Sequence, residues 1–256
     1  MIKIIFFDID GTLLELGAKE MHTKLIQALN QLQEKGIKLF LATGRPPFVI
    51  PKFKDVHFDG ALAFNGAYCY NNHELIYKNP LDSKDIDTFI NNAKEIGNAV
   101  NVAGIHKMGC NFEDEVLEEY FEIASQHIHV LDEFDTFKNE EIYQMMVAAT
   151  PNQEKQLLKN TTTLKVARWW DKAVDIIPSN GGKDKGIQAI LDYYHLKVEE
   201  AMAFGDGGND ISMLKTVGCG VAMGNATNDV KEIADYITDS VENDGIISAL
   251  EHFHVL

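Results

Sequence analysis

Two carboxylates stand at the end of the first apolar run of the chain, in the stretch IIFFDIDGT over residues 4–12. Side chains at positions i and i+2 of a strand share a face, so Asp8 and Asp10 would point the same way. Carboxylates this close repel each other unless a cation lies between them or one pKa rises. The pair therefore predicts a site for a hard divalent ion such as Mg²⁺, which prefers oxygen ligands. The alternative is a plain turn in which Asp10, Gly11 and Thr12 cap a helix.

Two further segments carry groups that suit phosphate chemistry. Thr43, Gly44 and Arg45 offer a hydroxyl, an accessible backbone N–H and a guanidinium, which together suit a tetrahedral anion. Lys183, with Lys185 as its competitor, lies in the first turn of a predicted helix after a Gly-Gly pair. A lysine there opposes the helix dipole, which is tolerable if lysine and helix end face an anion. The alternatives are an ordinary turn and a solvated surface lysine.

A third segment, Gly205 to Asp210, is a glycine-rich turn that holds two acids and an amide. It follows the apolar run at 201–204, which is typical of a buried strand. Such a turn brings Asp206, Asn209 and Asp210 close to whatever the strand end faces. The alternative is an ordinary hydrophilic loop.

The elements around these segments alternate between strand and helix. The first 45 residues predict a strand, a helix and a strand, which is a βαβ unit of a parallel sheet. A strand with a polar break at Asn65-Gly66 is predicted for 60–70. From residue 183 the alternation resumes with four helices and three strands. Open parallel sheets bind ligands at the carboxyl ends of their strands, where most of these polar segments lie.

The pattern changes between residues 80 and 180, where short strands of antiparallel type are mixed with helices. Stretches rich in Pro, Gly and Asn flank this region at 79–80 and 178–182, as expected of hinges. We therefore expect an α/β protein whose Rossmann-like parallel-sheet core is formed by residues 1–79 and 181–256. An inserted α+β unit of residues 80–180, called the cap segment below, interrupts this core. The alternative is one continuous domain with a long excursion.

Composition narrows the possible partners. The chain has 256 residues and a formal net charge of −16, from 23 basic and 39 acidic residues. This balance argues against nucleic acid and anionic membranes, and requires local positive potential at any site for an anionic substrate. Three cysteines without a CxxC pair argue against disulfides and structural zinc, as in a reducing cytoplasm. We expect no signal peptide and no membrane span, and a monomer is compatible with the sequence.

Taken together and in order, these motifs resemble those of the haloacid dehalogenase superfamily, and within it the Cof-type sugar-phosphate phosphatases with a large α/β cap. The resemblance covers essentially the whole chain and rests on FFDIDGTLL, ATGR, FNGA, GGKDKG, FGDGGNDISML and GVAMGNA. It implies a phosphomonoester hydrolase that uses Mg²⁺ and acts on small phosphorylated metabolites, sugar phosphates first.

The resemblance also implies a role for each matching residue. Asp8 matches a nucleophile that forms an aspartyl-phosphate, and Asp10 matches a general acid/base whose backbone carbonyl also reaches the metal. Lys183 matches the cation that neutralises the nucleophile and the phosphoryl group, with Lys185 left as its competitor by the local KxKG pattern. The implied metal ligands are Asp8, Asp10, Asp206 and Asp210. The residues implied to bind phosphate or substrate are Gly11, Thr43, Gly44, Arg45, Asn65 and Asn209.

The resemblance further implies that the cap segment closes over the site, excludes water and contacts the leaving group. Specificity would then lie on its inner face and around residues 65–67. The candidates on that face are Arg168, Trp169, Trp170 and Asp171, of which the tryptophans also suit a core. Elsewhere in the segment, His127-Ile128-His129 has no acid beside it and indicates a strand face, and the acidic stretch 113–122 indicates a solvated helix face.

Three other functions share parts of this pattern. A phosphomutase of the same fold would need the cap segment to hold a bisphosphate and to shield the aspartyl-phosphate from water. A phospho-acceptor switch also uses carboxylates, threonine and lysine on an α/β sheet, but its phosphorylated Asp lies on a different strand from the acidic pair. A non-catalytic metabolite sensor would not need the full set of expected catalytic residues. A dehalogenase is disfavoured because Asp10 and the acidic turn suit phosphate and metal.

Overall fold

The computed structural model of the chain describes residues 1–256 and contains thirteen β-strands and nine α-helices. The strands in chain order are β1 (Ile4–Phe7), β2 (Lys38–Ala42), β3 (Gly60–Ala63), β4 (Tyr68–Asn71), β5 (Leu75–Lys78), β6 (Val100–Ala103), β7 (Met108–Cys110), β8 (Gln144–Ala148), β9 (Leu164–Ala167), β10 (Ala173–Pro178), β11 (Ala201–Gly205), β12 (Cys219–Ala222) and β13 (Tyr236–Ile237). The helices are α1 (Thr23–Glu34), α2 (Ser83–Glu95), α3 (Glu115–Ile123), α4 (Phe134–Phe137), α5 (Glu154–Leu157), α6 (Lys183–Tyr194), α7 (Ile211–Thr216), α8 (Asn228–Ile233) and α9 (Gly245–His252). No helix is both long enough and apolar enough to cross a membrane.

The larger of two sheets has eight strands in the order β13-β12-β11-β1-β2-β3-β4-β5. Its first six strands are parallel, and β4 and β5 are added antiparallel at one edge. The central strand β1 pairs with β2 on one side and with β11 on the other. This sheet confirms the prediction of an α/β fold with a Rossmann-like core.

The smaller sheet is built from the cap segment. It has five strands in the order β7-β6-β8-β10-β9, and every adjacent pair is antiparallel. Helices α2 to α5 belong to the same stretch of chain, which agrees with the predicted α+β character. The chain enters and leaves this segment at two adjacent places, which are joined by a hydrogen bond from Asn79 Nδ2 to Asn180 Oδ1 at 3.0 Å.

Two apolar layers cover the faces of the larger sheet. The residues of β1 alternate between these layers, with Ile5 and Phe7 in one and the other two in the second. All four have no exposed surface, and Phe7 stacks on Phe204 of β11 with ring centroids 5.3 Å apart. A strand buried on both faces needs a continuous apolar run, and this run ends at Asp8, where β1 reaches the edge of the sheet.

Local sequence explains several element ends. Helix α2 begins after Asp82, whose carboxylate accepts the backbone N–H groups of Lys84 and Asp85 at 3.0 and 3.3 Å. Helix α1 is followed by Gly36, whose φ of +78° is the left-handed conformation that commonly ends a helix.

The structure differs from the predicted elements in three places. The stretch 60–70 is not one interrupted strand, because a 3-10 turn at Phe64–Gly66 reverses the chain and β4 returns antiparallel. Phe64 and Asn65 in this turn both have φ of 52°, a left-handed conformation that the residue types alone do not predict for two positions in succession. Residues 127–129 lie in a loop, so the predicted strand face there is wrong. Strand β5 and the short helices α4 and α5 were not predicted.

Candidate active site

Strand order brings the sequence-predicted site segments together at the carboxyl edge of the larger sheet. Strands β1, β2 and β11 are neighbours, and Asp8, Thr43 and Asp206 each follow one of them directly. Asp8 and Thr43 are 7% and 2% exposed. Lys183, the first residue of α6, is buried beside them with no exposed surface. The site therefore lies where open α/β sheets hold their ligands.

Lys183 links the nucleophile candidate to the acidic turn. Its Nζ donates to Asp8 Oδ1 at 2.6 Å and to Asp210 Oδ1 at 2.5 Å. Burial by itself lowers the pKa of Lys183, but the carboxylates of Asp210 and Asp8 raise it above its usual value, so the side chain is an ammonium. Lys185, its competitor, has a side chain that is 57% exposed and lies 3.9 Å from Asp184 alone. Only Lys183 reaches the site.

The acidic turn is held rigid by its own hydrogen bonds. Asp210 Oδ2 accepts the backbone N–H groups of Asp206 and Gly207 at 2.9 and 3.0 Å. Thr12 donates its hydroxyl to Asp206 Oδ1 at 2.9 Å. Gly11 lies against the Asp206 carboxylate with φ of +86°, and a Cβ there would overlap those oxygens. Both carboxylates of the turn are thereby fixed toward β1.

Asp8, Asp206 and Asp210 form a cluster whose carboxylate oxygens lie within 4.8 Å of one another. Burial raises the pKa of Asp8 well above its usual value, although Lys183 opposes this, and burial together with Asp210 raises the pKa of Asp206 to about 7. One ammonium cannot balance three clustered carboxylates, two of them buried and one half-buried. An oxygen-rich donor set with this charge excess fits a hard divalent cation.

The Asp10 carboxylate lies outside this cluster, which agrees with the expectation that Asp10 would reach a metal through its backbone carbonyl. Its two oxygens accept from Arg45, at 2.8 Å from Nε and 2.6 Å from Nη2. The pair is the two-point geometry typical of arginine and carboxylate. The Arg45 guanidinium, expected to face phosphate, is therefore engaged by Asp10, and the backbone N–H of Arg45 donates to Thr43 Oγ1 at 3.1 Å.

A pair of amides connects the turn at 64–66 to the acidic turn. Asn209 Nδ2 donates to Asn65 Oδ1 at 2.9 Å. A third amide, that of Asn225, donates to the Gly11 carbonyl at 2.8 Å and lies 3.4 Å from Asp206 Oδ2. Asn225 belongs to the motif GVAMGNA, but the sequence alone predicts no role for this residue.

Most of these groups line one side of a cavity of about 320 Å³ between the two sheets, whereas Lys183 and Asn65 are not among its lining residues. Asp8, Thr43 and Gly44 lie on the core side. The opposite wall comes from the cap segment and is largely apolar and aromatic. Its members are Met108, Tyr120, Phe121, Ile123, Ala124, Gln126, Gln144, Met146, Trp169, Trp170 and Asp175.

The structure separates the four predicted specificity residues into two pairs. Trp169 and Trp170 line the cavity, and their rings lie 5.0 and 5.9 Å from that of Tyr120. Arg168 does not line it, because its guanidinium is bound by Glu154 and by the carbonyls of Ala149 and Trp170. Asp171 is exposed outside the cavity.

Of the cap-segment residues that line the cavity, only Trp169 and Trp170 were predicted from the sequence. The unpredicted ones include three buried polar residues, Tyr120, Gln144 and Asp175. Tyr120 lies in the acidic helix α3 that was predicted to be merely solvated, and it is 7% exposed. Asp175 interrupts the apolar run of β10, and a buried acid in such a run is the signal that could have identified it.

The histidine pair of the cap segment is not part of this site. His127 Nδ1 lies 2.5 Å from Glu118 Oε1, and the backbone N–H of Ile128 donates to Glu118 Oε2 at 2.8 Å. The acid beside His127 thus comes from α3 and not from a neighbouring position in the sequence. Glu118, Glu122 and His127 form an exposed group that touches solvent rather than the cavity.

Comparisons with known proteins agree with this architecture. The family model of haloacid dehalogenase-like hydrolases matches residues 5–250. YkrA of Bacillus subtilis (strain 168) is 32% identical over 257 residues, covering 99% of this chain and 98% of YkrA. The structure of BT4131, a sugar phosphatase of subclass IIB of the superfamily, is 34% identical with a TM-score of 0.90, covering 99% of this chain and 100% of that one. A structure from a study of a trigonal-bipyramidal intermediate in a phosphoryl-transfer superfamily is 34% identical with a TM-score of 0.94, covering 100% of both chains.

The chain belongs to the haloacid dehalogenase-like hydrolase family. Within that family it is a Cof-type phosphatase that transfers phosphoryl groups, and its fold matches that of the subclass IIB sugar phosphatase BT4131.

Proposed function

We propose that the protein is a Mg²⁺-dependent phosphomonoesterase that acts on small phosphorylated metabolites, sugar phosphates first, through an aspartyl-phosphate on Asp8. One observation carries this proposal: the buried Lys183 ammonium bridges Asp8 and Asp210 at the cavity, at 2.6 and 2.5 Å. A carboxylate that lines a cavity and is held by a cation suits nucleophilic attack on a phosphate ester.

The reaction would proceed in two balanced steps. Asp8 attacks phosphorus, the bond from phosphorus to the ester oxygen breaks, and Asp10 gives a proton to that leaving oxygen. Asp10 then takes a proton from water as the water oxygen attacks phosphorus, and the bond from phosphorus to Asp8 breaks. Free phosphate leaves and both carboxyl groups return to their starting state. For the first step Asp10 must start as the carboxylic acid, with one of its oxygens released from Arg45. The two bonds from Arg45 hold the side chain outside the three-carboxylate cluster and favour its carboxylate form, which is the form that takes the proton from water in the second step.

The remaining polar groups would bind and neutralise the transferring phosphoryl group. Lys183 balances the charge of Asp8 and of the incoming phosphate, since phosphoryl transfer depends chiefly on positioning and charge neutralisation. Thr43, Gly44 and Asn209 line the cavity beside Asp8 and would contact the phosphoryl oxygens. Gly11 leaves room for Asp206, and Asn65 holds Asn209.

The carboxylates of Asp8 and Asp206 and the backbone carbonyl of Asp10 would hold a Mg²⁺ ion, which supplies Lewis-acid stabilisation of phosphoryl charge when bound. Asp210 would support the site from behind, because Lys183 and two backbone N–H groups already engage its oxygens. The negative excess of the cluster is the support for a divalent ion rather than for a further ammonium.

Residues 80–180 would act as the cap and residues 1–79 and 181–256 as the catalytic core. The aromatic wall supplied by this segment supports contact with the leaving group, and BT4131 is a sugar phosphatase with the same fold. The chain charge of −16 argues against a nucleic-acid substrate, and a small anionic substrate would depend on Lys183 and a bound Mg²⁺ for local positive charge.

The test is phosphate release from a panel of sugar phosphates, nucleotides and an aryl phosphate, with Mg²⁺, with EDTA, and with Asp8→Asn. We expect metal-dependent release that disappears in Asp8→Asn. Release that survives Asp8→Asn would contradict the assigned nucleophile. Conversion of one hexose phosphate into its isomer without free phosphate would identify a phosphomutase instead.

A further inference from the structure

Asp175 is a buried carboxylate in the cap segment that no cation balances. It lies in β10, between β8 and β9 of the smaller sheet, and is 2% exposed. No lysine, arginine or histidine forms an ion pair with it. Its oxygens instead accept from two neutral donors, Tyr120 Oη at 2.7 Å and Asn65 Nδ2 at 2.8 Å.

Such a carboxylate is costly to keep in a protein interior. Burial raises the pKa of Asp175 to about 6, and the hydrogen bonds from Tyr120 and Asn65, together with the charge of Lys183, which does not contact it, lower the pKa only in part. A buried, unbalanced acid that lines a cavity is typical of a residue retained for function rather than for packing.

The hydrogen bonds of Asp175 belong to a chain that crosses the cavity from the cap segment to the core. On the cap side, Trp169 Nε1 donates to Tyr120 Oη at 2.6 Å. On the core side, Asn65 accepts from Asn209 Nδ2 at 2.9 Å. The chain therefore connects the aromatic wall to the turn that carries the carboxylate cluster.

A branch of the same chain reaches the phosphate-binding candidates. Asn65 Nδ2 also donates to Gln144 Oε1 at 3.0 Å, and Gln144 Nε2 donates to the carbonyl of Gly44 at 3.0 Å. Gln144 is 2% exposed, so few other partners are open to it. Asp175 and Gln144 thus hold Asn65 from the cap side. On the core side, Asn209 donates to Asn65, whereas Gly44 is bonded to Gln144 and packs against the Asn65 amide.

Asn65 needs this support because its backbone is strained. Its φ of 52° follows another left-handed residue, Phe64, and two such residues in succession are unusual outside glycine. The backbone N–H of Asn65 donates to the Thr43 carbonyl at 2.9 Å, so the strained turn rests on the phosphate-binding loop itself. If the side chain of Asn65 lost its acceptor, the positions of Thr43, Gly44 and Asn209 would relax together.

We propose that Asp175 is a positioning residue for phosphoryl transfer, which together with Tyr120 holds Asn65 so that Gly44 and Asn209 keep their places beside the phosphoryl group. This inference rests on the proposed phosphatase activity. Since Asp175 acts on the phosphoryl side of the reaction, its loss lowers turnover by the same factor whatever the leaving group is.

The experiment compares Asp175→Asn and Tyr120→Phe with two matched controls. Asp85→Asn replaces another buried carboxylate of the cap segment, which is 7% exposed. It accepts hydrogen bonds from Thr162 and Thr163, which do not line the cavity. Tyr143→Phe removes the hydroxyl of another buried tyrosine, which bonds only Glu141. Each protein is assayed with p-nitrophenyl phosphate and with glucose 6-phosphate, and inhibition by inorganic phosphate is measured in parallel.

We expect kcat to fall about 10–100-fold in both site variants, the size of effect given by a displaced catalytic group. We expect the same fold decrease in kcat for both substrates and weaker inhibition by inorganic phosphate. In both control variants, kcat stays within twofold of that of the parent protein. Thermal unfolding confirms that each variant is folded. If Asp175→Asn does not fold, Tyr120→Phe decides, because it removes a single hydroxyl.

Two results would overturn the positioning role. A loss seen with glucose 6-phosphate alone would mean that Asp175 recognises the leaving group. Unchanged kcat and phosphate inhibition in folded variants would mean that the chain of hydrogen bonds is only structural. Failure of the proposed function is a separate result, since the parent protein would then release no phosphate from either substrate in Mg²⁺.

Discussion

Buried carboxylates occur on both sides of the cavity, but the two sides balance them differently. On the core side, Asp8 and Asp210 share the ammonium of Lys183 and still leave negative charge in excess. On the cap side, Asp175 is surrounded by neutral donors and aromatic rings. The core side therefore acts through its charges, as nucleophile and cation site. The cap side acts through neutral hydrogen bonds that fix the positions of neighbouring groups. Variants should separate these two kinds of contribution.

Removal of the Asp8 carboxylate should give the largest effect. Asp8→Asn keeps the size of the side chain but abolishes the nucleophile, so we expect kcat to fall about 10⁴-fold or more, as for other nucleophile deletions. The measurement is phosphate release at saturating substrate and Mg²⁺. Residual activity within tenfold of the parent protein would show that the charge of Asp8 matters less than its position, which would remove the contrast with the cap side.

Lys183→Ala should be nearly as damaging and should also lower stability. It leaves two buried carboxylates without their cation, which typically destabilises a protein by about 3–5 kcal/mol. Lys185→Ala is the matched control, since that side chain is 57% exposed and should change the unfolding free energy by less than ~0.5 kcal/mol. Denaturant unfolding and turnover are measured for both. A loss of turnover in Lys185→Ala alone would reverse the assignment.

Asp175→Asn should show how much an unbalanced carboxylate costs the fold. The pKa of Asp175 is raised to about 6, so the folded state binds its proton more tightly than the unfolded chain. Its contribution to stability is therefore greatest below about pH 4 and is lost as pH rises to about 6, by roughly 3 kcal/mol in total. Unfolding free energies of parent and variant at pH 4 and pH 8 measure most of this difference. A gap that does not change with pH would show that Asp175 titrates normally.

Mg²⁺ should stabilise the folded protein through the core side alone. An ion that binds only the folded state raises the unfolding free energy by about 2.7 kcal/mol at a hundredfold excess over its Kd. Thermal unfolding during Mg²⁺ titration measures the shift. Asp206→Asn should abolish most of it, whereas Asp171→Asn, a change of an exposed acid in the cap segment, should not. An equal shift in both variants would place the ion elsewhere.

The sequence predicted the core side far better than the cap side, and the reason is physical. Asp8, Thr43 and Asp206 each follow an apolar strand directly, and parallel strands must bring their carboxyl ends to one edge. The pairing of Asp10 with Arg45 could not be foreseen, because it depends on the path of the loops after β1 and β2. The cap cavity is assembled from α3, β8 and β10, which are far apart in sequence, and no local pattern reports that Tyr120, Gln144 and Asp175 meet.

The position of β1 between β2 and β11 bears on how the chain folds during synthesis. Its partner β11 begins roughly 190 residues after β1 ends, so at ~5–20 residues per second β1 waits ~10–40 s for it. During that time the run Ile4–Phe7 presents an unpaired apolar edge, which is the kind of strand that joins other chains. The whole cap segment emerges meanwhile, and we expect the pairing of its own five strands to bring Asn79 and Asn180 together before β11 arrives. This nascent chain should therefore depend on ribosome-associated chaperones more strongly than a protein whose central strands are adjacent in sequence.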